Sequence, residues 1–398
     1  MGEVGLRNPD VVVVGGGIVG ASCAYFLARA GARVVLLERF GLAAGTSSAC
    51  QSNVSAGIGA RGRQLAYFRA CVAVYAELRS EGMDFGWTTT PRLVVALTDS
   101  EATELRADVA IVRETGVAVD VWTGDPRQLE PRLAPTVPLV AIEHDAAQVN
   151  PMQATVELAQ HARRAGARIV TGCAVTTLIR QGSRVIGVDS SAGRVTAEAV
   201  LLACGAWSRE LAATAEIDLP VWPRKGHILV TEPRPRWTDF NIAGYAYEAT
   251  LGHGFVSSEA HDPTSGDPEV GTVLQPLPQG QMLLGSSREF AGWDGSLSRS
   301  RLTSIARAGV AMLPTLAHVR VIRSYAGFRP WSPDGEPLLG PVPEAIGLWV
   351  ATGHGGGGIT GAPLAGQLIA ELRAGGLGRI DPRPYRPERF DLRLKTQH

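Results

Sequence analysis

The first forty residues carry the pattern that most constrains how this chain can fold. Val11–Val14 predict a strand buried on both faces, and residues 15–20 then read Gly-Gly-Gly-Ile-Val-Gly, which fits the spacing G-x-G-x-x-G. Residues 21–30 have helical character, and residues 34–37 predict a second strand that ends at Glu38. A strand, a glycine turn, a helix and a second strand within about thirty residues form the unit that binds dinucleotides.

The glycines have distinct roles in such a unit. Gly15 permits the tight turn, Gly17 lets a pyrophosphate approach the backbone, and Gly20 lets the helix pack closely against the strand. Ile18 and Val19 lie in the same turn, and the N-terminus of the helix that follows supplies free N–H groups and a partial positive charge. We therefore predict that this turn binds the pyrophosphate of a dinucleotide.

The identity of the dinucleotide depends on the residues at and after the end of the second strand. Glu38 is placed to accept hydrogen bonds from ribose hydroxyls, and its charge disfavours NADP because it would repel a 2′-phosphate. An NAD enzyme would continue into another βα unit after Glu38 and Arg39, whereas residues 45–53 form a polar loop of small side chains. Such a loop can line a long cofactor or can be a solvated connection, so FAD and NAD both remain candidates here.

The bulk composition narrows the class of protein. A chain of 398 residues usually divides into two domains, and its 38 basic residues balance its 38 acidic ones. Zero formal charge argues against a polyanionic partner, so we expect no nucleic acid. The five cysteines are scattered and odd in number, without the spacing of a metal site, which indicates a reducing compartment and a cytoplasmic location.

Residues 11–28 contain no charged side chain and could be mistaken for a membrane span or for the core of a signal peptide. Four glycines interrupt this stretch, and Glu3 and Asp10 precede it. The stretch is better interpreted as strand, turn and helix, so we expect no transmembrane segment.

Four further motifs occur in order along the chain. They are the loop 46–53, residues 199–208 (AVLLACGAWS), residues 327–335 (GFRPWSPDG) and residues 348–363 (LWVATGHGGGGITGAP). Together with the N-terminal unit, they resemble the D-amino-acid oxidase superfamily of flavoproteins over nearly the whole chain. The resemblance implies FAD. It also implies that the FAD is noncovalent, because Gly327 and Phe328 occupy the region where some relatives attach the flavin to a cysteine.

The resemblance also implies how the chain meets this cofactor. Val175 is placed where a family valine meets the adenine side, and the last motif predicts a helix from about Gly358 to Arg373. The N-terminus of this helix would stabilise negative charge that develops over flavin N1 and the C2 carbonyl, although a glycine-rich hinge is the structural alternative. The expected cofactor residues are Gly15, Gly17, Ile18, Val19, Gly20, Glu38, Arg39, Thr46, Ser47, Gln51, Ser52, Asn53, Val175, Ala203, Gly205, Trp207, Arg329, Gly353, His354, Gly355, Gly356, Gly357, Gly358, Ile359 and Thr360.

Arg329 is the residue expected to bind the substrate. The resemblance places it where amino-acid oxidases hold the substrate carboxylate, and a guanidinium suits two-point binding of that planar group. Holding the carboxylate would orient the substrate Cα–H toward flavin N5. The alternative is a structural ion pair with Asp334.

The chain departs from its relatives around this position. Val273 stands where D-amino-acid oxidases and glycine oxidase tend to have a tyrosine, and Gly356 stands where glycine oxidase has a second arginine, so the pocket should be larger. Arg288 could reach the pocket mouth and add a cation for a substrate with two carboxylates, such as an opine. A surface arginine paired with Glu289 is the alternative.

The segment Pro223-Arg224-Lys225-Gly226-His227 resembles the family's entry into the substrate-domain sheet. Lys225 or His227 could approach the flavin there, and the His227 side chain is of the type that titrates near neutral pH. We therefore include His227, with Arg329 and Arg288, among the candidate catalytic residues.

These observations predict an α/β fold of two domains. A Rossmann-like FAD-binding domain would comprise residues 9–90, 142–218 and 322–385, and a discontinuous β-sheet-rich substrate domain would comprise residues 91–141 and 219–321.

The resemblance implies FAD-dependent oxidation of the C–N bond of an amino acid or secondary amine. A hydride would pass from the substrate carbon to flavin N5, giving an imine that hydrolyses. The alternative is a flavoprotein subunit of an opine or hydroxyproline dehydrogenase, which would pass electrons to partner redox subunits. A tRNA-modifying relative is a third candidate, and zero net charge argues against it.

Overall fold

Strands and helices alternate along the residues that the computed structural model describes, which are 8–235, 237–252 and 269–393. The strands are β1 Val11–Val14, β2 Val34–Leu37, β3 Asn53–Val54, β4 Thr88–Thr89, β5 Arg92–Ala96, β6 Val119–Val121, β7 Leu139–Glu143, β8 Ala147–Gln148, β9 Arg168–Val170, β10 Val175–Gln181, β11 Arg184–Ser190, β12 Gly193–Thr196, β13 Ala199–Leu202, β14 Trp222–Thr231, β15 Asn241–Gly244, β16 Glu269–Pro276, β17 Met282–Arg288, β18 Val321–Trp331, β19 Leu338–Pro341 and β20 Leu348–Thr352. The α-helices are α1 Ile18–Arg29, α2 Gly62–Ser80, α3 Asp99–Glu114, α4 Pro151–Arg164, α5 Ser208–Ala213, α6 Tyr245–Gly252, α7 Arg299–Met312 and α8 Gly358–Arg373. The fold is α/β, as predicted.

A six-stranded sheet is built around the N-terminal unit, in the order β19-β20-β13-β1-β2-β9. Strands β20, β13, β1, β2 and β9 are parallel, and β19 is antiparallel at the edge. Val11 and Val13 pack against helices α1, α4 and α8, while Val12 and Val14 pack against the small sheet β10-β11-β12. Because both faces of β1 are covered, all four valines are buried, which confirms the predicted strand.

The two glycine-rich motifs each lead from a parallel strand into a helix of the same layer. Helix α1 begins at Ile18, three residues before the predicted start, because the Ile18 N–H already bonds to the Ser47 hydroxyl. Helix α8 occupies the predicted residues, Gly358–Arg373, and packs against α1.

A second, eight-stranded sheet has the order β18-β14-β17-β16-β15-β5-β7-β6 and is antiparallel except where β15 meets β5. Helix α7 covers one face of it, with Ile305 and Met312 in the core. The sheet takes in β18 and hence residues 322–331, which the predicted boundaries assign to the FAD-binding domain. The domain boundaries themselves stay a prediction. Within the described ranges, every helix is too short or too polar to cross a bilayer.

Candidate active site

A cavity of about 610 Å³ runs along the carboxyl ends of β1, β2, β13 and β20. The eight-stranded sheet supplies the opposite wall through Gly226, Ile228 and residues 326–330. In an open α/β sheet this edge is where ligands bind. The cavity therefore lies between the two sheets, where the sequence predicts a cofactor and a substrate to meet.

Most of the residues expected at the cofactor line this cavity. They are Gly15, Gly17, Ile18, Val19, Glu38, Arg39, Thr46, Ser47, Gln51, Val175, Ala203, Gly205, Trp207, Arg329, His354, Gly355, Gly356, Gly358 and Ile359. Residues from five separate motifs thus converge on one space. The arrangement can hold one elongated ligand from the first glycine turn to the last.

The first glycine turn is shaped by backbone contacts that leave no room for side chains. Gly15 has φ of 111°, and a Cβ there would lie 2.6 Å from the carbonyl oxygen of Ala203. A Cβ at Gly20 would overlap the carbonyl oxygen of Gly15, so Gly20 serves packing behind the wall and does not line the cavity. The N-terminus of α1 opens beside Gly17, where its N–H groups and partial positive charge suit a phosphate.

Glu38 fixes the same turn from the end of β2. Its carboxylate oxygens accept hydrogen bonds from the N–H groups of Gly16, at 2.6 Å, and Phe40, at 2.8 Å. Because each oxygen can accept a further bond, Glu38 still has capacity for a ligand hydroxyl.

An aromatic stack lies beside Glu38 and is not predicted from the sequence. Trp207 lines the cavity with the Arg39 guanidinium 4.4 Å above its ring, and Trp293 stacks on Trp207 at 4.7 Å. The Trp293 indole N–H donates to Glu210 at 2.8 Å. This stack joins the loop after β17 to the six-stranded sheet, and no local pattern marks Trp293 in the sequence.

The polar loop after β2 bonds to the eight-stranded sheet. The Thr46 hydroxyl donates to the carbonyl oxygen of Phe328 at 2.6 Å, and the Gln51 amide donates to that of Val273 at 2.8 Å. Ser47 accepts the N–H of Ile18 at 3.0 Å. The loop therefore forms part of the cavity wall and is not a solvated connection.

Five other expected cofactor residues are not among the residues that line the cavity, and their contact with a cofactor stays a prediction. Ser52 bonds to Gln275, Asn53 accepts from Thr360, Gly353 packs on Leu338, and Gly357 packs on Phe68. Their bonds and contacts hold neighbouring elements together, so Ser52, Asn53, Gly353, Gly357 and Thr360 support the cavity without lining it.

His354 is buried in the last glycine turn, at the N-terminal end of α8. Burial lowers the pKa of His354 to about 4, so its ring is neutral near pH 7. Its Nε2 atom has no hydrogen-bond partner within the described residues. A buried ring nitrogen without a partner at the edge of a cavity fits a bound group that supplies one, as a flavin ring would.

Arg329 reaches the cavity by crossing the neighbouring strand. A Cβ at Gly226 of β14 would overlap the Arg329 guanidinium, so the glycine makes room for it. The guanidinium donates to the carbonyl oxygen of Ser287 at 3.1 Å and to the hydroxyl of Ser286 at 2.5 Å, both on β17. The alternative ion pair with Asp334 is wrong, because Asp334 pairs with Arg389 at 2.6 Å.

Arg288 and Tyr247 lie beside Arg329. Arg288 is buried, which rules out the alternative of a surface arginine, and its guanidinium lies 4.7 Å above the ring of Tyr247. Tyr247 lines the cavity and packs on Gly271. Although Val273 has no aromatic ring, helix α6 brings Tyr247 to the cavity from a different part of the chain.

His227 and Lys225 do not reach the cavity, which corrects the expectation that either could approach a flavin. Side chains alternate along β14, so Gly226 and Ile228 face the cavity while Lys225 and His227 face away. His227 is fully buried and bonds to Ser287 and Ser298, and Lys225 pairs with Glu289 at 3.2 Å.

A family model, a sequence relative and a solved structure all match most of this chain. Residues 10–372 match the family model "FAD dependent oxidoreductase" (DAO). The chain is 30% identical over 374 residues to glycine oxidase of Geobacillus kaustophilus, covering 91% of this chain and 92% of that protein. The crystal structure of glycine oxidase from that organism superposes with a TM-score of 0.84 and 26% identity, covering 97% of this chain and 100% of the other.

Two Pseudomonas proteins are also similar. Glycine oxidase of Pseudomonas putida is 34% identical over 216 residues, and this match covers 54% of our chain and only about half, 52%, of that relative. Hydrogen cyanide synthase subunit HcnC of Pseudomonas aeruginosa is 29% identical, covering 96% of our chain and 97% of HcnC. With the family model matched from residue 10 to residue 372, the chain belongs to the DAO family of FAD-dependent oxidoreductases.

Proposed function

We propose that this protein oxidises the carbon–nitrogen bond of a small amino acid or secondary amine that carries a carboxylate. The observation that carries the proposal is the position of Arg329 in the cavity wall. A guanidinium has five N–H donors, and the bonds to Ser286 and Ser287 use two of them. The remaining donors suit a carboxylate, which a planar guanidinium can bind at two points.

The residues of the chain would position the substrate and polarise the flavin ring, while the cofactor would accept the electrons. Bound FAD would supply the hydride acceptor for oxidation of the substrate C–N bond, and water would hydrolyse the imine product. Arg329 would hold the carboxylate and so orient the substrate C–H bond. The N-terminus of α8, at Gly358 and Ile359, would stabilise negative charge on the flavin ring. Neutral His354 would offer its unpartnered Nε2 as a hydrogen-bonding atom.

We further propose that FAD binds without a covalent bond. Cys50 and Cys204 both line the cavity, and burial raises the pKa of Cys50 to about 12 and that of Cys204 to about 11. These thiols are therefore protonated near pH 7, and a protonated thiol is a poor nucleophile.

Anaerobic bleaching of the flavin tests the proposal. The yellow holoprotein would be mixed without oxygen with glycine, sarcosine, D-amino acids, proline derivatives and opines, and its absorbance near the flavin maximum followed. We expect at least one carboxylate-bearing amine to bleach the flavin, with release of the matching carbonyl product. Bleaching by none of these compounds, all of which carry a carboxylate, would contradict the proposed substrate class.

The similarity to HcnC supports a second candidate function, a flavoprotein subunit that passes electrons to partner subunits. The two candidates differ after the flavin has been reduced. A self-contained oxidase would turn over with oxygen as the purified single chain. A dehydrogenase subunit would bleach with the same amine but would reoxidise slowly in air and would need a redox partner or dye.

A further inference from the structure

A β-bulge interrupts the pairing of β14 with β17 directly behind Arg329. The two strands pair regularly as far as Ile228 and Gly285, and they meet again where Lys225 and Glu289 exchange backbone hydrogen bonds of 2.9 and 3.0 Å. Between these points β14 has two residues and β17 has three, residues 286–288. Such an extra residue bends a strand and redirects its groups, and bulges are frequent beside active sites.

The bulge supplies both acceptors that hold Arg329. The carbonyl oxygen of Ser287 and the hydroxyl of Ser286 receive the two guanidinium bonds. On the opposite face, the backbone N–H of His227 donates to the Ser287 hydroxyl at 3.1 Å, where a regular ladder would offer a carbonyl. Ser287 is therefore bonded to His227 through its side chain and to Arg329 through its main chain.

The ring of His227 also forms a hydrogen bond with Ser287. Its Nδ1 lies 2.8 Å from the Ser287 hydroxyl oxygen, and its Nε2 accepts the backbone N–H of Ser298 at 3.2 Å. Because Nε2 is an acceptor, the proton of the neutral ring must lie on Nδ1, which then donates to Ser287. The ring thus links the start of α7 to the bulge, and it is fully buried from solvent.

We propose that His227 is a positioning residue for substrate binding, which fixes Arg329 through Ser287 and the bulge. This inference rests on the proposed function, in which Arg329 binds the substrate carboxylate. It gives His227 a role in the reaction although its side chain does not reach the cavity.

A double-mutant cycle on the holoenzyme tests the proposal, with acetate as the carboxylate probe and the perturbation of flavin absorbance as the readout. His227→Phe keeps a ring of similar size but removes both ring bonds. We expect it to raise the Kd for acetate about tenfold, whereas His227→Asn, which can still donate to Ser287, should retain most of the affinity. In an Arg329→Ala background, His227→Phe should change the Kd no further, because coupled residues are not additive.

Two further variants separate positioning from a general loss of stability. Ser287→Ala removes the hydroxyl that accepts the backbone N–H bond and the Nδ1 bond of His227. It should reproduce the effect of His227→Phe, which covers the case in which that variant does not fold. Thr231→Val is the matched control, because the buried Thr231 hydroxyl accepts the Met282 N–H at 2.9 Å at the other end of the same strand pair. It should lower thermal stability and leave the acetate Kd unchanged.

The possible failures are distinguishable. If Arg329→Ala weakens acetate binding while His227→Phe and Ser287→Ala do not, or if their effects simply add to that of Arg329→Ala, the positioning role is overturned and the proposed function stands. If wild type and Arg329→Ala bind acetate equally well, the proposed function is contradicted and the inference falls with it.

Discussion

Replacement of Arg329 by alanine is expected to raise the KM for a carboxylate-bearing amine by about thirtyfold, equivalent to about 2 kcal/mol for a lost charge-assisted pair. The loss should be large because Arg329 faces the cavity and is held from behind by two bonds, so its geometry is fixed before the ligand arrives. We expect no compensation from Arg288, because it is not among the residues that line the cavity and its guanidinium stacks on Tyr247.

Two companion variants make this result specific. Arg329→Lys keeps a positive charge but has three donors, whereas Ser286, Ser287 and a carboxylate bound at two points need four, so we expect it to recover only part of the affinity. Gly226→Ala would place a methyl group where the guanidinium lies and should raise KM although Arg329 is intact. Flavin content, measured by absorbance after purification, is the control for all three. An unchanged KM in fully flavinated Arg329→Ala would contradict the assigned role.

Replacement of Gly15 by alanine is expected to abolish FAD retention. A side chain at φ of 111° is strained, and its Cβ would lie 2.6 Å from the main-chain oxygen of Ala203, which cannot move aside without displacing β13. Strain of this kind costs about 1–3 kcal/mol, and the overlap adds to it, so we expect the FAD Kd to rise by at least about a hundredfold. The measurement is fluorescence of free FAD after gel filtration.

Gly41→Ala is the matched control for this prediction. Gly41 lies just after β2 in the same N-terminal unit, yet a Cβ there meets no atom within 4 Å and its φ is not positive. The Gly41 variant should purify yellow with a melting temperature close to that of wild type. Full FAD retention by Gly15→Ala would show that the turn does not bind the cofactor as proposed.

The sequence predicts those parts of the fold and site that rest on local pattern. Four consecutive valines and the glycines after them define β1 and the turn, and the helix of the last motif begins and ends at the predicted residues, Gly358–Arg373. The place of Arg329 at the cavity follows from the resemblance of its motif to the family, whereas the bonds that hold its guanidinium come from Ser286 and Ser287, about forty positions away.

The features that could not be predicted depend on contacts between distant segments. Trp293 reaches Trp207 across 86 positions of chain, and Tyr247 enters the cavity from a helix that carries no motif. The partner of Asp334 is Arg389, which lies 55 positions further along the chain in a short 3₁₀ helix, Pro387–Arg389. Period-two alternation shows that neighbouring residues of β14 face opposite sides, but only packing reveals which side faces the cavity, so His227 was misplaced.

The most direct test compares one carboxylate-bearing amine with its carboxamide in anaerobic stopped-flow reduction of the flavin. The acid would be the panel member that bleaches the holoprotein fastest, and in the carboxamide a neutral amide of similar size replaces the charged carboxylate that Arg329 is proposed to bind. We predict that, at equal subsaturating concentrations, the acid reduces the flavin at least tenfold faster, and that Arg329→Ala removes this difference. Equal rates for acid and carboxamide in the wild-type protein would contradict the proposal that Arg329 binds the substrate carboxylate.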